Sequence, residues 1–237
     1  MEKTKMQLQK LMDKQRKKSE MYVQTVQKAN KLKAEEIKKF KNSFEENYAA
    51  EGVRLLLSGV SSALIENAGK RLDFKLGPLE FADKLEIQCI INQLDSTDAS
   101  VASLIRSMQK INRCGLSSNK GFYDYKESKK NIWPDLTDLV PTSKDQPSIR
   151  EVEKRLLYSS INNIFYNYIK YSDFKNLEAY DYMIIKDLGF PAWTGGAFRW
   201  VKQNGIKEFI NTNDEYAKTL GSRFVLSEKI IDIIKTI

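Results

Sequence analysis

The chain has 237 residues, of which 41% are hydrophobic and 30% are charged, and its formal net charge is +8. This length and apolar content are enough to bury a core in one large domain or two smaller ones, which argues against global disorder. Residues 1–41 contain 13 Lys and Arg against 5 Asp and Glu, so the remaining residues hold 26 side chains of each sign. The positive excess is therefore confined to an N-terminal arm, and the body of the chain is neutral.

The two cysteines, Cys89 and Cys114, form no CxxC pair, and the sequence contains no histidine. This pattern excludes the usual zinc-ligand spacings and does not indicate a disulfide framework. No stretch approaches the ~20 apolar residues that a membrane span requires, and no apolar segment follows the charged start of the chain. We expect a reduced, soluble, cytoplasmic protein with no transmembrane segment and no bound metal.

Residues 2–40 lack Gly and Pro and are rich in good helix formers, which predicts a basic helical arm. Its apolar residues keep only a broken 3.6-residue period, so a stable coiled coil is not expected. From Phe44 onward the pattern changes to short amphipathic helices. Gly59 is predicted to be the C-terminal glycine of a helix, and Ser61 with Ser62 can cap the next helix.

Gly77 and Pro78 end that helix and fit the first turn of another, because proline needs no N–H there. Further helix is predicted through Met108, followed by a loop at 115–125. Residues 132–147 contain three of the five prolines together with Ser, Thr and Asp, which indicates a linker.

The same order of elements begins again after the linker. Long helical periodicity through 152–169 is followed by a second helix through 177–185, a breaker and another helix. In the second copy, Gly195 and Gly196 occupy the positions that correspond to Gly77 and Pro78 in the first copy. We interpret this order as an internal duplication in an all-α protein.

The breaker reads DLGFPAWTGGAFRW over residues 187–200. The Gly-Phe-Pro step at 189–191 predicts a helix stop, and the second glycine pair permits a new helix start. We expect its four aromatic side chains to pack between helices rather than to bind a ligand. These side chains are Phe190, Trp193, Phe198 and Trp200. The neighbouring carboxylates Asp181 and Asp187 are interpreted as a solvated helix face.

This breaker resembles the second C-terminal domain of the L-3-hydroxyacyl-CoA dehydrogenase family, as found in the multifunctional α-subunit of bacterial fatty-acid oxidation. The first copy is similar to the same family at FKLGPLEFAD (74–83), NKGFYDY (119–125) and the opening helix 42–59. The likeness covers residues 42–234 in order. The chain departs from the family pattern at Asn119, at 86–88, and before Asn42.

The resemblance implies two tandem repeats of the 6-phosphogluconate dehydrogenase C-terminal-like helical domain, preceded by the basic helix. The implied boundaries are a 1–41 arm, a 42–131 first domain, a 132–148 linker and a 149–237 second domain. It also implies that the chain is the C-terminal portion of an NAD-dependent 3-hydroxyacyl-CoA dehydrogenase of fatty-acid β-oxidation. There it would contribute closure of the substrate site and contacts between domains or subunits.

Two parts of the family's machinery are missing from the sequence. It has no G-x-G-x-x-G turn for NAD and no histidine to serve as the base, so the chain alone is not expected to catalyse the oxidation. Asn42 is the single active-site residue that the resemblance carries over, as a group positioning the substrate oxygen. The expected partners are a separate NAD-binding domain or a second copy of the chain, as in a dimer, with acyl-CoA as substrate.

One alternative belongs to another class of protein. The basic arm could make the chain a non-catalytic interaction module for an acidic partner, a nucleic acid or an anionic membrane. Nucleic-acid binding is the less favoured of these, because a basic run is only one of the features that it requires. The arm could also be the altered remainder of sequence that once led out of a dinucleotide-binding domain.

Overall fold

The computed structural model describes residues 34–95, 97–127, 129–171 and 176–237. The chain divides into two compact units, Met1–Phe40 and Lys41–Ile237. Because the description begins at residue 34, most of the predicted 1–41 arm lies outside the described residues. Of the described residues, 70% are helical and two short strands are present, which confirms the all-helical class at this coarse level.

Ten α-helices are labelled in chain order within the described part of the chain. The first, α1, is described over residues 34–57. The others are α2 (Ser62–Arg71), α3 (Pro78–Lys84), α4 (Ala99–Lys110), α5 (Leu136–Leu139), α6 (Ile149–Tyr171), α7 (Leu177–Met183), α8 (Ala197–Asn204), α9 (Ile206–Leu220) and α10 (Glu228–Lys235). Short 3₁₀ turns lie at Ile87–Gln93, Leu116–Ser118, Ala192–Thr194 and Ser222–Phe224.

The predicted helix ends after α1 and before α3 are confirmed. The Gly59 N–H donates to the Leu56 carbonyl at 2.9 Å, which ends α1. Ser61 is the N-cap of α2, and its hydroxyl accepts from the Leu64 N–H at 3.4 Å. Pro78 occupies the first position of α3. Side-chain caps and proline placement therefore set these boundaries as the sequence predicts.

A β-hairpin lies where the sequence predicted only a loop and the start of the linker. β1 (Tyr123–Lys126) pairs antiparallel with β2 (Lys129–Ile132), with Tyr123 opposite Ile132. The sequence gave no strand signal because β2 is mostly exposed and lysine-rich, so it has no apolar alternation. The hairpin is held instead by side-chain contacts to α2 and α3.

The linker predicted at 132–148 packs against the turn between α1 and α2. It contains α5, and its Leu136 and Val140 side chains are buried. The Ser143 N–H donates to the Gly59 carbonyl at 2.8 Å. The Gln146 amide donates to the same carbonyl at 2.9 Å, and its oxygen accepts from the Ser61 N–H at 2.8 Å. These hydrogen bonds fix the linker to the first helices.

The α7 helix ends in the way the breaker predicts. It passes into one π-helical turn, Ile184–Leu188, and stops at Gly189 with φ +76°. Three of the four aromatic side chains in the breaker are buried, as predicted: Phe190, Phe198 and Trp200. The prediction was wrong for Trp193, whose side chain is 55% exposed. Its indole N–H donates to the Leu72 carbonyl at 2.8 Å, which holds the ring at the surface.

Two long helices, α1 and α6, contact each other through polar side chains. The Asn47 amide donates to the carbonyl and the hydroxyl of Ser159, both at 3.2 Å. The Ser43 hydroxyl accepts from the amides of Asn163 and Asn167 at 3.3 Å. Both Asn47 and Ser159 are buried, so these bonds satisfy polar groups that have left water.

Glu51 of α1 is fully buried at the centre of a charged network. Its carboxylate accepts from Arg155 Nε at 2.6 Å and from Arg223 Nε at 2.7 Å, and Arg54 lies at 3.3 Å. Arg54 makes a bidentate pair with Asp98, at 2.8 and 2.7 Å. Burial by itself raises the pKa of Glu51, but the three guanidinium groups outweigh it and hold the pKa at about 2.

Candidate functional site

Asn42, the residue carried over by the resemblance, is exposed on α1. It lies beside Ser43, which is bonded to α6, and beside Lys41, which lines a surface cleft. Asn42 itself is not among the residues that line this cleft. Its role as a substrate-positioning residue stays a prediction.

The cleft has a volume of about 170 Å³ and is formed by three parts of the fold. One wall comes from α1, a second from residues 74–75 and α3, and a third from the π-helical turn and Gly189. The lining residues are Lys41, Phe44, Glu45, Tyr48, Phe74, Lys75, Phe81, Lys84, Lys186, Asp187, Leu188 and Gly189.

The floor of the cleft is aromatic. Tyr48 stacks on Phe74 with ring centroids 4.2 Å apart, and Phe81 meets Tyr48 edge-on at 5.8 Å. Phe44 lies 6.3 Å from Phe74 and 6.2 Å from Phe190. These rings are buried, and the Tyr48 hydroxyl donates to the Leu76 carbonyl at 3.2 Å. The floor is therefore a packed, preformed apolar surface.

The rim of the cleft is cationic. Among the described residues that line it, four are exposed lysines, and the carboxylates are Glu45 and Asp187. Lys84 lies 4.0 Å from Glu45 and 4.8 Å above the Phe81 ring. Lys186 lies 5.9 Å from the ring of Tyr182. An aromatic floor with an ammonium rim is suited to an anion that carries an apolar group.

A second arrangement recurs at the segments that carry the resemblance. Gly77 is the N-cap of α3, and a Cβ there would overlap the carboxylate of Glu66 on α2. Glu66 Oε1 accepts from the Leu79 N–H at 2.7 Å. Gly196 is the N-cap of α8, and a Cβ there would overlap Asp181 on α7.

The Asp181 carboxylate accepts from the N–H groups of Phe198 and Arg199 at 3.0 and 2.9 Å. Asp181 is thus buried and hydrogen-bonded, so its interpretation as part of a solvated face was wrong. Asp187 is partly exposed at the cleft. In both α2–α3 and α7–α8, a buried carboxylate of one helix satisfies the free N–H groups at the start of the next.

The NKGFYDY loop is held by a third carboxylate. Asp83 accepts from the N–H groups of Phe122 and Tyr123 at 2.7 and 2.9 Å, and from the Tyr125 hydroxyl at 3.0 Å. A Cβ at Gly121 would overlap the Asp83 carboxylate, so the loop can approach this closely only with glycine there. The Tyr123 hydroxyl donates to Glu66 at 2.6 Å, which links the hairpin to α2.

Burial raises the pKa of Asp83 to about 7, although the hydrogen bonds from Phe122, Tyr123 and Tyr125 act to lower it. Burial likewise raises the pKa of Asp181 to about 6, against the N–H groups of α8. A carboxyl group whose folded-state pKa is raised stabilises the fold below its unfolded value and loses that contribution as pH rises. Stability should therefore fall as pH rises from about 4 to about 7.

Replacing Asp83 by Asn should reduce this pH dependence. The shift from 3.8 to about 7 corresponds to about 4 kcal/mol across that pH window, and an amide does not titrate there. The amide also leaves one of the two backbone N–H groups without an acceptor, which should cost about 1–3 kcal/mol. Urea unfolding of wild type and D83N at pH 4.5 and 7.5 measures both effects. An equal pH dependence in the two proteins would contradict the assignment, and D214N at an exposed position serves as the control.

Sequence reasoning missed both the cleft and the Glu51 network. Residues 41, 75, 84 and 186 belong to separate elements, so no local spacing brings their charges together. The carboxylate–glycine contacts had a partial signal, because each glycine lies in a segment that the resemblance singled out. Their carboxylate partners lie 11, 15 and 38 positions away from the glycines, and no helical period connects them.

No family model matches the sequence. Within the described residues, no group of three or more Asp, Glu or Cys side chains is arranged to hold a metal ion. Among the helices described, none has the length and apolar content needed to cross a membrane.

Proposed function

We propose that the chain is the helical C-terminal portion of an L-3-hydroxyacyl-CoA dehydrogenase, composed of two tandem repeats. It would act with a separate NAD-binding domain, close the acyl-CoA site and supply contacts between domains. The observation that carries this proposal is the shared carboxylate–glycine contact of the two halves. Glu66 with Gly77 and Asp181 with Gly196 lie in the same order of helices.

The position of these contacts within the sequence supports the proposal. FKLGPLEFAD contains Gly77 and Asp83, NKGFYDY contains Gly121, and GGAFRW contains Gly196. In these three segments, Gly77, Gly121 and Gly196 each allow a close approach of backbone and carboxylate. A duplicated helical domain accounts for that recurrence better than unrelated packing does.

Exposed apolar side chains support a role in docking. Trp193 and Tyr182 are 55% and 66% exposed, and Ile111 is 53% exposed. Large apolar side chains at the surface are common features of protein contact sites.

An NADH-linked assay of acetoacetyl-CoA reduction tests the proposal. We expect no turnover by the purified chain, and turnover when it is mixed with an isolated NAD-binding domain of the family. In the mixture, Asn42→Ala should lower kcat/KM about tenfold if its amide positions the substrate oxygen, because one hydrogen bond contributes about 1 kcal/mol or somewhat more. Asn211→Ala, at another exposed asparagine, should leave the rate unchanged. Absence of turnover in a mixture that forms a stable complex would contradict the proposal.

A further inference from the structure

We propose that the lysine-rimmed cleft binds a small amphipathic carboxylate, with one carboxylate headgroup and an apolar group of about six carbons. This binding role goes beyond the proposed function and is independent of it, because only residues that line the cleft take part. The headgroup contacts the rim, and the apolar group covers the aromatic floor.

The charge of the rim selects an anion. The described lining residues supply four ammonium groups and two carboxylates, which is an excess of two positive charges. Among the described residues, Lys41 and Lys75 have no carboxylate within ion-pair distance, and Lys84 has only the 4.0 Å approach to Glu45. Lysine side chains are flexible and bring three donors each, so Lys41 and Lys75 can turn towards a headgroup at the mouth.

The floor selects an apolar group and limits its size. A cleft of about 170 Å³ is close to the ~150 Å³ cavity that accommodates one benzene molecule in a protein core. It therefore has room for a single ring or a short chain, but not for a nucleotide or a long acyl chain. Atoms of Phe44, Tyr48, Phe74 and Phe81 line the cleft and supply the apolar contacts for that group.

The floor also distinguishes this ligand from a phosphate ion. Inorganic phosphate would contact the lysines and gain nothing from Phe44, Tyr48, Phe74 or Phe81. A carboxylate with a six-carbon chain gains from both parts of the cleft. Each buried methylene strengthens binding by about fourfold at most, so a few buried methylenes outweigh a modest difference in headgroup charge.

Isothermal titration calorimetry of the full chain with sodium hexanoate tests the proposal at low ionic strength, where rim charges are least screened. Hexanoate should bind saturably and at least about tenfold more tightly than acetate. Octanoate should gain little over hexanoate, because the cleft is then full. Hexanol and inorganic phosphate should each bind at least about tenfold more weakly than hexanoate. If hexanol binds as tightly as hexanoate, the lysine rim does not contribute to binding. If phosphate binds as tightly as hexanoate, the aromatic floor does not contribute. Either result overturns the proposal.

A double variant of the rim and a control variant test whether the binding site is the cleft. The double variant K41Q/K75Q should weaken hexanoate binding about tenfold, since each exposed ion pair contributes up to about 1 kcal/mol. Both lysines are exposed, and circular dichroism checks that the fold is kept. K144Q removes an exposed lysine in the linker and should bind as the wild type does. Loss of affinity in K144Q as well, or undiminished affinity in K41Q/K75Q, would place the binding elsewhere and overturn the proposal.

Discussion

Glu51→Gln should lower the free energy of unfolding by about 3–5 kcal/mol at pH 7, which is the usual effect of removing one partner from a buried ion pair. The substitution leaves Arg155 and Arg223 partly buried without the carboxylate that they share. For a chain of this length the loss corresponds to a fall in Tm of about 10 °C. Urea unfolding followed by circular dichroism measures it.

The pH dependence of the same variant gives an independent check. The pKa of Glu51 is held at about 2, below its ordinary 4.5, so its contribution is complete above pH 4.5 and is lost as pH falls towards 2. Wild type should therefore lose its advantage over E51Q in that acidic window. Glu215→Gln at an exposed position should change stability by less than about 0.5 kcal/mol. An E51Q protein as stable as E215Q would contradict the role given to the network.

Gly196→Ala should be similarly damaging. Gly196 has φ +111°, and a Cβ there would overlap Asp181, whose carboxylate holds the first N–H groups of α8. The added methyl either strains the backbone or displaces Asp181, and the helix start then loses two hydrogen bonds to a charged acceptor. We expect a loss of about 3 kcal/mol or more from these combined effects. Thermal unfolding provides the measurement.

Gly189→Ala measures the cost of alanine at a positive-φ glycine that has no close neighbour. Gly189 also has positive φ, +76°, but a Cβ there meets nothing within 4 Å. The backbone penalty of about 1–2 kcal/mol should therefore be its whole cost. If G189A and G196A destabilise the protein equally, the contact with Asp181 contributes nothing and the close-approach argument fails.

The sequence predicted the helical class and several helix ends, because these depend on local chemistry. Ser61 caps α2, Pro78 opens α3, and Gly189 ends the helical stretch that begins at α7, all through interactions within a few residues. The exposed Trp193 was mispredicted because aromatic spacing shows that a ring can be buried but not which neighbours are present to bury it. The hairpin was missed because its strands are stabilised by tyrosine–carboxylate contacts rather than by apolar alternation.

The candidate site was predicted less well than the fold. Asn42 entered through resemblance, and the cleft beside it depends on four lysines that are far apart in the sequence. Electrostatic partners such as Glu51 and Arg223 are separated by 172 positions, so no window of sequence contains both. Counting charges along the sequence identified the basic arm. The same count could not show which charged side chains of the neutral body are buried next to each other.

The same separation has a consequence for the newly made chain. Ribosomes add about 5–20 residues per second, so roughly 10–30 s pass between the synthesis of Glu51 and that of Arg223. During this interval α1 can form, but the carboxylate of Glu51 lacks one of its principal partners and must stay hydrated. The turn that contains Arg223 therefore completes the buried network, and the final burial of α1 waits at least until that residue has been made.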